Sequence, residues 1–217
     1  MILRNKNVLI TGATGGLGRA LAQAYLKKGC NLYLTGRDTS KLKALANELN
    51  LQNNYDYRIN FQACDFEINS SVDTMISEAK KTIQRIDILI NCAGTFPISK
   101  IHDMNLEEYQ KCIQINLNVP FLLIREFSKE MIKNKWGRII NIASSGAYAG
   151  GISTSVYCAS KHALLGLSRS LHKELKKDGV RVFCVSPGTI QTEMAREVEK
   201  LGQLYDTFMT PEEVADY

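Results

Sequence analysis

Three clusters of residues in this 217-residue chain have the types and spacing to do chemistry. The first is Thr11-Gly12-Ala13-Thr14-Gly15-Gly16-Leu17-Gly18, which follows the apolar run Val8-Leu9-Ile10 and leads into a helical pattern. Glycines at 12, 16 and 18 permit a tight turn and let the backbone approach a pyrophosphate closely. The free N–H groups and the positive dipole end of the next helix then face that anion. A glycine pattern alone is weak, but the strand–turn–helix setting makes this one a nucleotide-binding loop. The second cluster is Thr35-Gly36-Arg37-Asp38, at the end of the next apolar run. An acid at the end of that strand would take the ribose 2′-hydroxyl of NAD, whereas an arginine pairs with the 2′-phosphate of NADP. Gly36 and Arg37 therefore favour NADP(H) over NAD(H), and Asp38 is the residue that could fold back and blunt the preference.

The third cluster is Tyr157 and Lys161, four residues apart and so on one helix face. A phenol with an ordinary pKa of about 10 is a poor acid–base at neutral pH. An ammonium on the same face is expected to stabilise the phenolate and lower that value. Ser144 lies just past an apolar run, where a parallel sheet opens its ligand crevice.

The elements that must position these clusters are short apolar runs alternating with longer helical patterns. Strands are expected at 7–10, 31–35, 57–63, 87–91, 138–142 and 181–185, nearly continuously apolar as strands buried on both faces should be. Helices are expected at 17–28, 40–49, 70–84, 106–133 and 155–177, with Pro120 bending the fourth rather than ending it. Such alternation implies right-handed crossovers and an α/β, doubly wound parallel sheet in a single domain spanning 1–217.

Composition sets outer bounds. Apolar residues are 45 % and charged residues 23 % of the chain, which excludes a disordered or low-complexity protein. The net charge of +5 is spread in pairs such as Lys27-Lys28, without the basic stripe or motif of a nucleic-acid binder. The six cysteines form no CxxC pair and no metal-ligand spacing, so they read as buried thiols in a reducing cytoplasm, with no metal site. No apolar run reaches the roughly 18 residues of a membrane span. The histidines at 102, 162 and 172 are scattered, and surface or packing roles suffice for them.

Taken together, the glycine loop, Asp65, Asn91-Cys92-Ala93-Gly94, Asn116, Ser144, Tyr157-Cys158-Ala159-Ser160-Lys161 and Pro187-Gly188 resemble the short-chain dehydrogenase/reductase family across nearly the whole chain. The resemblance implies a three-layer Rossmann fold with strand order 3-2-1-4-5-6. It implies a pyrophosphate loop at Gly12, Thr14, Gly15, Gly16, Leu17 and Gly18, adenine contacts at Asp65 and Phe66, and a sheet-stabilising turn at Asn91, Ala93 and Gly94 bordering the cofactor. Pro187, Gly188, Ile190 and Thr192 match the segment along the nicotinamide. Asn116, Ser144, Tyr157 and Lys161 match the catalytic tetrad. Tyr157 would be the general acid or base, Lys161 would also bind the ribose, Ser144 would bond the substrate oxygen, and Asn116 would hold a water in the proton relay. Ser145 is the rival of Ser144. The family's fourth and fifth helices imply a homo-oligomer of two or four subunits.

The expected activity is hydride transfer between NADP(H) and a carbonyl or secondary alcohol, with 3-oxoacyl-thioester reduction one specific form. The rivals are an NAD-dependent alcohol dehydrogenase of the same family, a sugar epimerase or dehydratase, and a non-catalytic NADP sensor. Residues 189–208 are expected to be either a substrate lid or a plain surface helix. Thr210, Pro211, Glu212 and Glu213 announce a further helix, expected to be incomplete, with the family's seventh edge strand missing.

Overall fold

The computed structural model describes residues 3–52, 57–196 and 205–216. Six strands form one parallel sheet: β1 (Asn7–Thr11), β2 (Asn31–Gly36), β3 (Ile59–Ala63), β4 (Ile88–Asn91), β5 (Gly137–Ile142) and β6 (Val180–Val185). Their order is β3-β2-β1-β4-β5-β6, as expected from the sequence. No seventh strand is present among the described residues.

Side chains alternate across the sheet because successive Cβ atoms point to opposite faces. On one face, Leu9 of β1 and Leu89 of β4 pack with Val72, Met75, Leu123 and Phe127. On the other, Val8, Ile10, Ile88 and Ile90 pack with Leu17, Leu21, Leu42 and Leu49. The helices that supply these residues are α1 (Gly16–Lys27), α2 (Thr39–Leu51), α3 (Asn69–Thr82) and α5 (Val119–Lys133), with α4 (Leu106–Ile113) before α5 and α6 (Ser155–Leu175) after β5. Helix α7 (Pro211–Asp216) adds Val214 to the α1–α2 face. Its start is a capping box: Glu213 N–H donates to the Thr210 hydroxyl at 3.2 Å, and Thr210 N–H donates to the Glu213 carboxylate at 2.7 Å.

The stretch 106–133, expected as one bent helix, is three pieces. Between α4 and α5 lies a π-helical turn, Gln114–Asn118, in which Val119 N–H reaches back five residues to Gln114 C=O. Pro120 explains it. Proline has no N–H to donate, and its ring crowds the carbonyl four residues earlier, so the ladder widens just ahead of it. The last expected helix also ends sooner, at Leu175, and closes in a 3₁₀ turn over Lys176–Asp178. No helix among the described residues is long and apolar enough to cross a membrane.

The sheet's carboxyl edge is pinned by Thr11 at the end of β1. Its buried hydroxyl accepts from Cys92 N–H and Ala93 N–H, both at 3.0 Å, and lies 3.4 Å from Ile90 C=O. Thr11→Val keeps the shape and strands both N–H groups, so unfolding free energy should fall by about 2 kcal/mol or more. Urea denaturation measures this, and Thr11→Ser should recover most of the loss.

Candidate functional site

The glycine loop leaves β1 with Gly12 at φ +66, and a Cβ there would sit 2.8 Å from Ala93 Cα. A Cβ on Gly18 would strike the Gly12 carbonyl oxygen. Both positions therefore require glycine. Helix α1 starts from Gly15 with no side-chain cap and no acid in its first turn. Its leading N–H groups and its dipole are thus left for an anion, the fit a pyrophosphate requires. Thr192 closes over the loop, its Cγ2 lying 2.9 Å from where a Gly16 Cβ would be.

At the β2 end, Asp38 does not fold back toward a ribose. It caps α2, accepting from Lys41 N–H at 3.0 Å. Arg37 is exposed, with its guanidinium 3.7 Å from Glu67. Asp65 follows β3, and its carboxylate accepts from Glu67 N–H at 3.0 Å. The Phe66 ring is buried in the core beside Val72 and Met75, so any contact of this residue with a cofactor would come from its backbone.

Two buried polar relays carry the centre. In the first, Asn91 on β4 donates to Asn141 on β5 at 2.7 Å, Asn141 to Ser168 on α6 at 2.9 Å, and Ser168 to Leu164 C=O at 2.7 Å. It stitches the central strands to the helix that bears Tyr157 and Lys161. In the second, the Asn116 amide clamps Thr95, accepting its N–H at 2.9 Å and donating to its C=O at 3.0 Å. Asn116 also donates to Ser160 at 3.0 Å, and Ser160 donates to Tyr157 C=O at 2.7 Å. Gly94 lies beside this clamp, the position of a Cβ there being 3.4 Å from Asn116 Oδ1 and 3.7 Å from Lys161 Nζ.

Ser144 lies near enough to Tyr157 to favour its ionised form, and its hydroxyl accepts from Gly146 N–H at 3.1 Å. Ser145 is exposed, and its N–H donates to Pro187 C=O at 2.8 Å. Phe96 meets the Tyr157 ring at right angles, centroid to centroid 4.6 Å. The buried Lys161 ammonium donates to Ile142 C=O at 2.9 Å and lies 5.7 Å from the Tyr157 ring centre.

The electrostatics correct the expectation that Lys161 lowers the Tyr157 pKa. Burial pushes the phenol up, and the nearby Ser144 hydroxyl only partly offsets it. Lys161 is turned to the Ile142 carbonyl, and burial brings its own pKa down to about 8. Burial sets the direction of both shifts.

Pro187, Gly188, Ile190 and Thr192 follow β6. Ile190 bridges to Met209, with Gln191 N–H donating to Met209 C=O at 2.8 Å. Of the expected lid, residues 197–204 lie outside the described residues, and a short 3₁₀ turn at Glu193–Ala195 precedes them. Among the described residues no cluster of three or more His, Cys, Asp or Glu could hold a metal. His162 is exposed, within 2.8 Å of Cys158 C=O on its own helix. The sequence reading missed Thr11, Thr95, Phe96, Asn141 and Ser160 as supports. Only Ser160 had a signal, its place between Tyr157 and Lys161.

A doubly wound sheet with an anion-ready glycine loop and a converging Ser–Tyr–Lys group defines a nucleotide-dependent oxidoreductase. The short chain dehydrogenase family model matches residues 6–201, and the chain belongs to that family. It is 37 % identical over 198 residues to a 3-oxoacyl-(acyl-carrier-protein) reductase of Rickettsia felis, covering 91 % of this chain and 78 % of the relative. A single-residue variant of actinorhodin polyketide ketoreductase, solved with NADPH, superposes with TM-score 0.89 at 25 % identity, covering 98 % of this chain and 88 % of that one. A short-chain dehydrogenase from Sphingobium yanoikuyae in complex with NADPH gives TM-score 0.88 at 27 % identity, covering 97 % and 82 %.

The two pKa directions predict a pH profile. Below about 8 the free enzyme keeps Lys161 charged, and above it the ammonium is lost while Tyr157 is still protonated. For carbonyl reduction, kcat/KM should therefore fall on an alkaline limb set by Lys161. Initial rates across the pH range test this, and a profile flat to well above that value contradicts it.

Proposed function

We propose that this enzyme reduces a carbonyl group to a secondary alcohol with NADP(H), using Tyr157 as the proton donor. The observation that carries the reading is the convergence of Ser144, Tyr157 and Lys161 at the carboxyl ends of β4 and β5, beside the glycine loop. Bound there, the dihydronicotinamide supplies the hydride. Ser144 and Tyr157 aim two hydroxyl donors at the oxygen on which negative charge builds. Tyr157 passes its proton to that oxygen, and the Lys161 ammonium stabilises the phenolate left behind. Asn116, by the family resemblance, would hold a water that returns the proton. Gly12, Thr14, Gly15, Gly16, Leu17 and Gly18 would hold the pyrophosphate, Asp65 and the Phe66 backbone would border the adenine, and residues 187–192 would line the nicotinamide.

NADP(H) is favoured because Gly36 and Arg37, rather than an acid, end β2, and Asp38 is committed to its helix cap. The NADPH-bound structural neighbours agree. The substrate read from the relatives is a 3-oxoacyl thioester. Exposed Ile152 and Ile101 suit its acyl chain, and the 2.8 Å bond from Ser99 N–H to Ser153 C=O joins the loops that flank Phe96 and Tyr157. The whole chain acts as one domain. Exposed Leu106, Tyr109 and Phe121 on α4 and α5 suit a homo-oligomer, and six free thiols suit the cytoplasm.

Tyr157→Phe should lower turnover of a 3-oxoacyl thioester by about 10²-fold or more, read at the nicotinamide absorbance band. NADPH binding, followed by fluorescence, should persist. Near-normal turnover in that variant would remove Tyr157 from the mechanism.

A further inference from the structure

Glu67 follows the adenine-side aspartate, and its role is not explained by the chemistry above. One of its carboxylate oxygens, Oε1, lies 2.6 Å from Lys111 Nζ on α4 and 3.7 Å from Arg37 Nη1 after β2. Two cations from distant parts of the chain thus converge on a single oxygen. The backbone at Glu67 is held, its N–H donating to Asp65 Oδ1 at 3.0 Å. The flanking segments are fixed as well. Gly36 C=O accepts from Cys64 N–H at 2.8 Å, and Gln114 donates to Asn69 at 2.8 Å, joining the α4 side to the start of α3. Arg37 remains 68 % exposed, so its guanidinium can leave Glu67 at little cost. A groove of about 380 Å³ opens beside Glu67 and Lys111, with Glu107 the other acid on its wall.

We propose that Glu67 is a specificity-determining residue whose carboxylate occupies a two-cation seat, Arg37 and Lys111, that a 2′-phosphate takes over when NADP(H) binds. The inference rests on the NADP(H) reading above and extends it to two residues. Without ligand, the carboxylate keeps two like charges from repelling each other. With a dianionic phosphate present, it is a competitor that lowers the local positive potential. Glu67 therefore weakens phosphate binding while Lys111 strengthens it, and neither matters for a ligand with a plain 2′-hydroxyl.

Calorimetric titration of the full chain with 2′,5′-ADP and with 5′-ADP tests this without turnover. The wild type should bind 2′,5′-ADP more tightly than 5′-ADP. Glu67→Gln should tighten 2′,5′-ADP by about three- to tenfold, the scale of one unit charge acting across a few ångströms near a protein surface. Its effect on 5′-ADP should be under about twofold. Lys111→Met should weaken 2′,5′-ADP and spare 5′-ADP, and high salt should shrink both effects. If the wild type prefers 2′,5′-ADP but Glu67→Gln leaves it unchanged or weakens it, the seat is wrong and the NADP(H) reading stands. If the wild type does not distinguish the two ligands, the NADP(H) reading falls and the seat with it.

Discussion

The site depends on an ammonium group carried into the protein interior. Lys161 is 5 % exposed, and its hydrogen bond runs to a backbone carbonyl rather than a carboxylate. A buried charge without an anionic partner is costly, and its lowered pKa records that cost. The surroundings do not relieve it with an acid. Cys92, Cys112 and Cys184 face it instead, and burial pushes the thiols of Cys92 and Cys112 up, which keeps them neutral. On the proposed mechanism this charge meets its partners, a phenolate and a ribose, only once cofactor and substrate are bound. An acidic neighbour would stabilise the resting state and remove that difference.

Holding such a group in place requires a rigid frame, and the two buried relays provide it. Asn91, Asn141 and Ser168 link β4, β5 and α6 through hydrogen bonds that no solvent reaches. Asn116, Thr95 and Ser160 do the same for the loop after β4, the π-helical turn and the start of α6. Each relay ends on the backbone of α6. The position of Tyr157 and Lys161 is consequently set from two sides.

The glycine loop and the Tyr–Lys pair were legible because their signals are local: a turn that only glycine can make, and two side chains one helical turn apart. Strand order was legible too, since continuous apolar runs with helical crossovers leave few topologies. The supports were not. Asn141 and Ser168 look like any polar residues in an apolar run, and their pairing depends on strand register and helix packing. The break in 106–133 was half visible. Pro120 was seen, but a bend was expected where the ladder widens into a π turn, because a proline's effect depends on how the preceding carbonyls can be accommodated. The Tyr157 expectation went the wrong way because helical spacing fixes a shared face and says nothing of burial.

The π turn connects these strands of the argument. Asn116 stands one turn on from Cys112, which its amide meets at 3.4 Å, and from the π turn it also reaches Thr95. Cys112 is the buried residue of α4, whereas α5 buries Leu123, Ile124, Phe127 and Met131 in the core. The turn pairs groups five residues apart, as Val119 N–H with Gln114 C=O, in place of the α-helical spacing of four. It stands where its central residue, Asn116, ties the loop after β4 to the start of α6. Proline at 120 makes the arrangement hard to lose, since no regular α-helix can restore the bond that its missing N–H would have made.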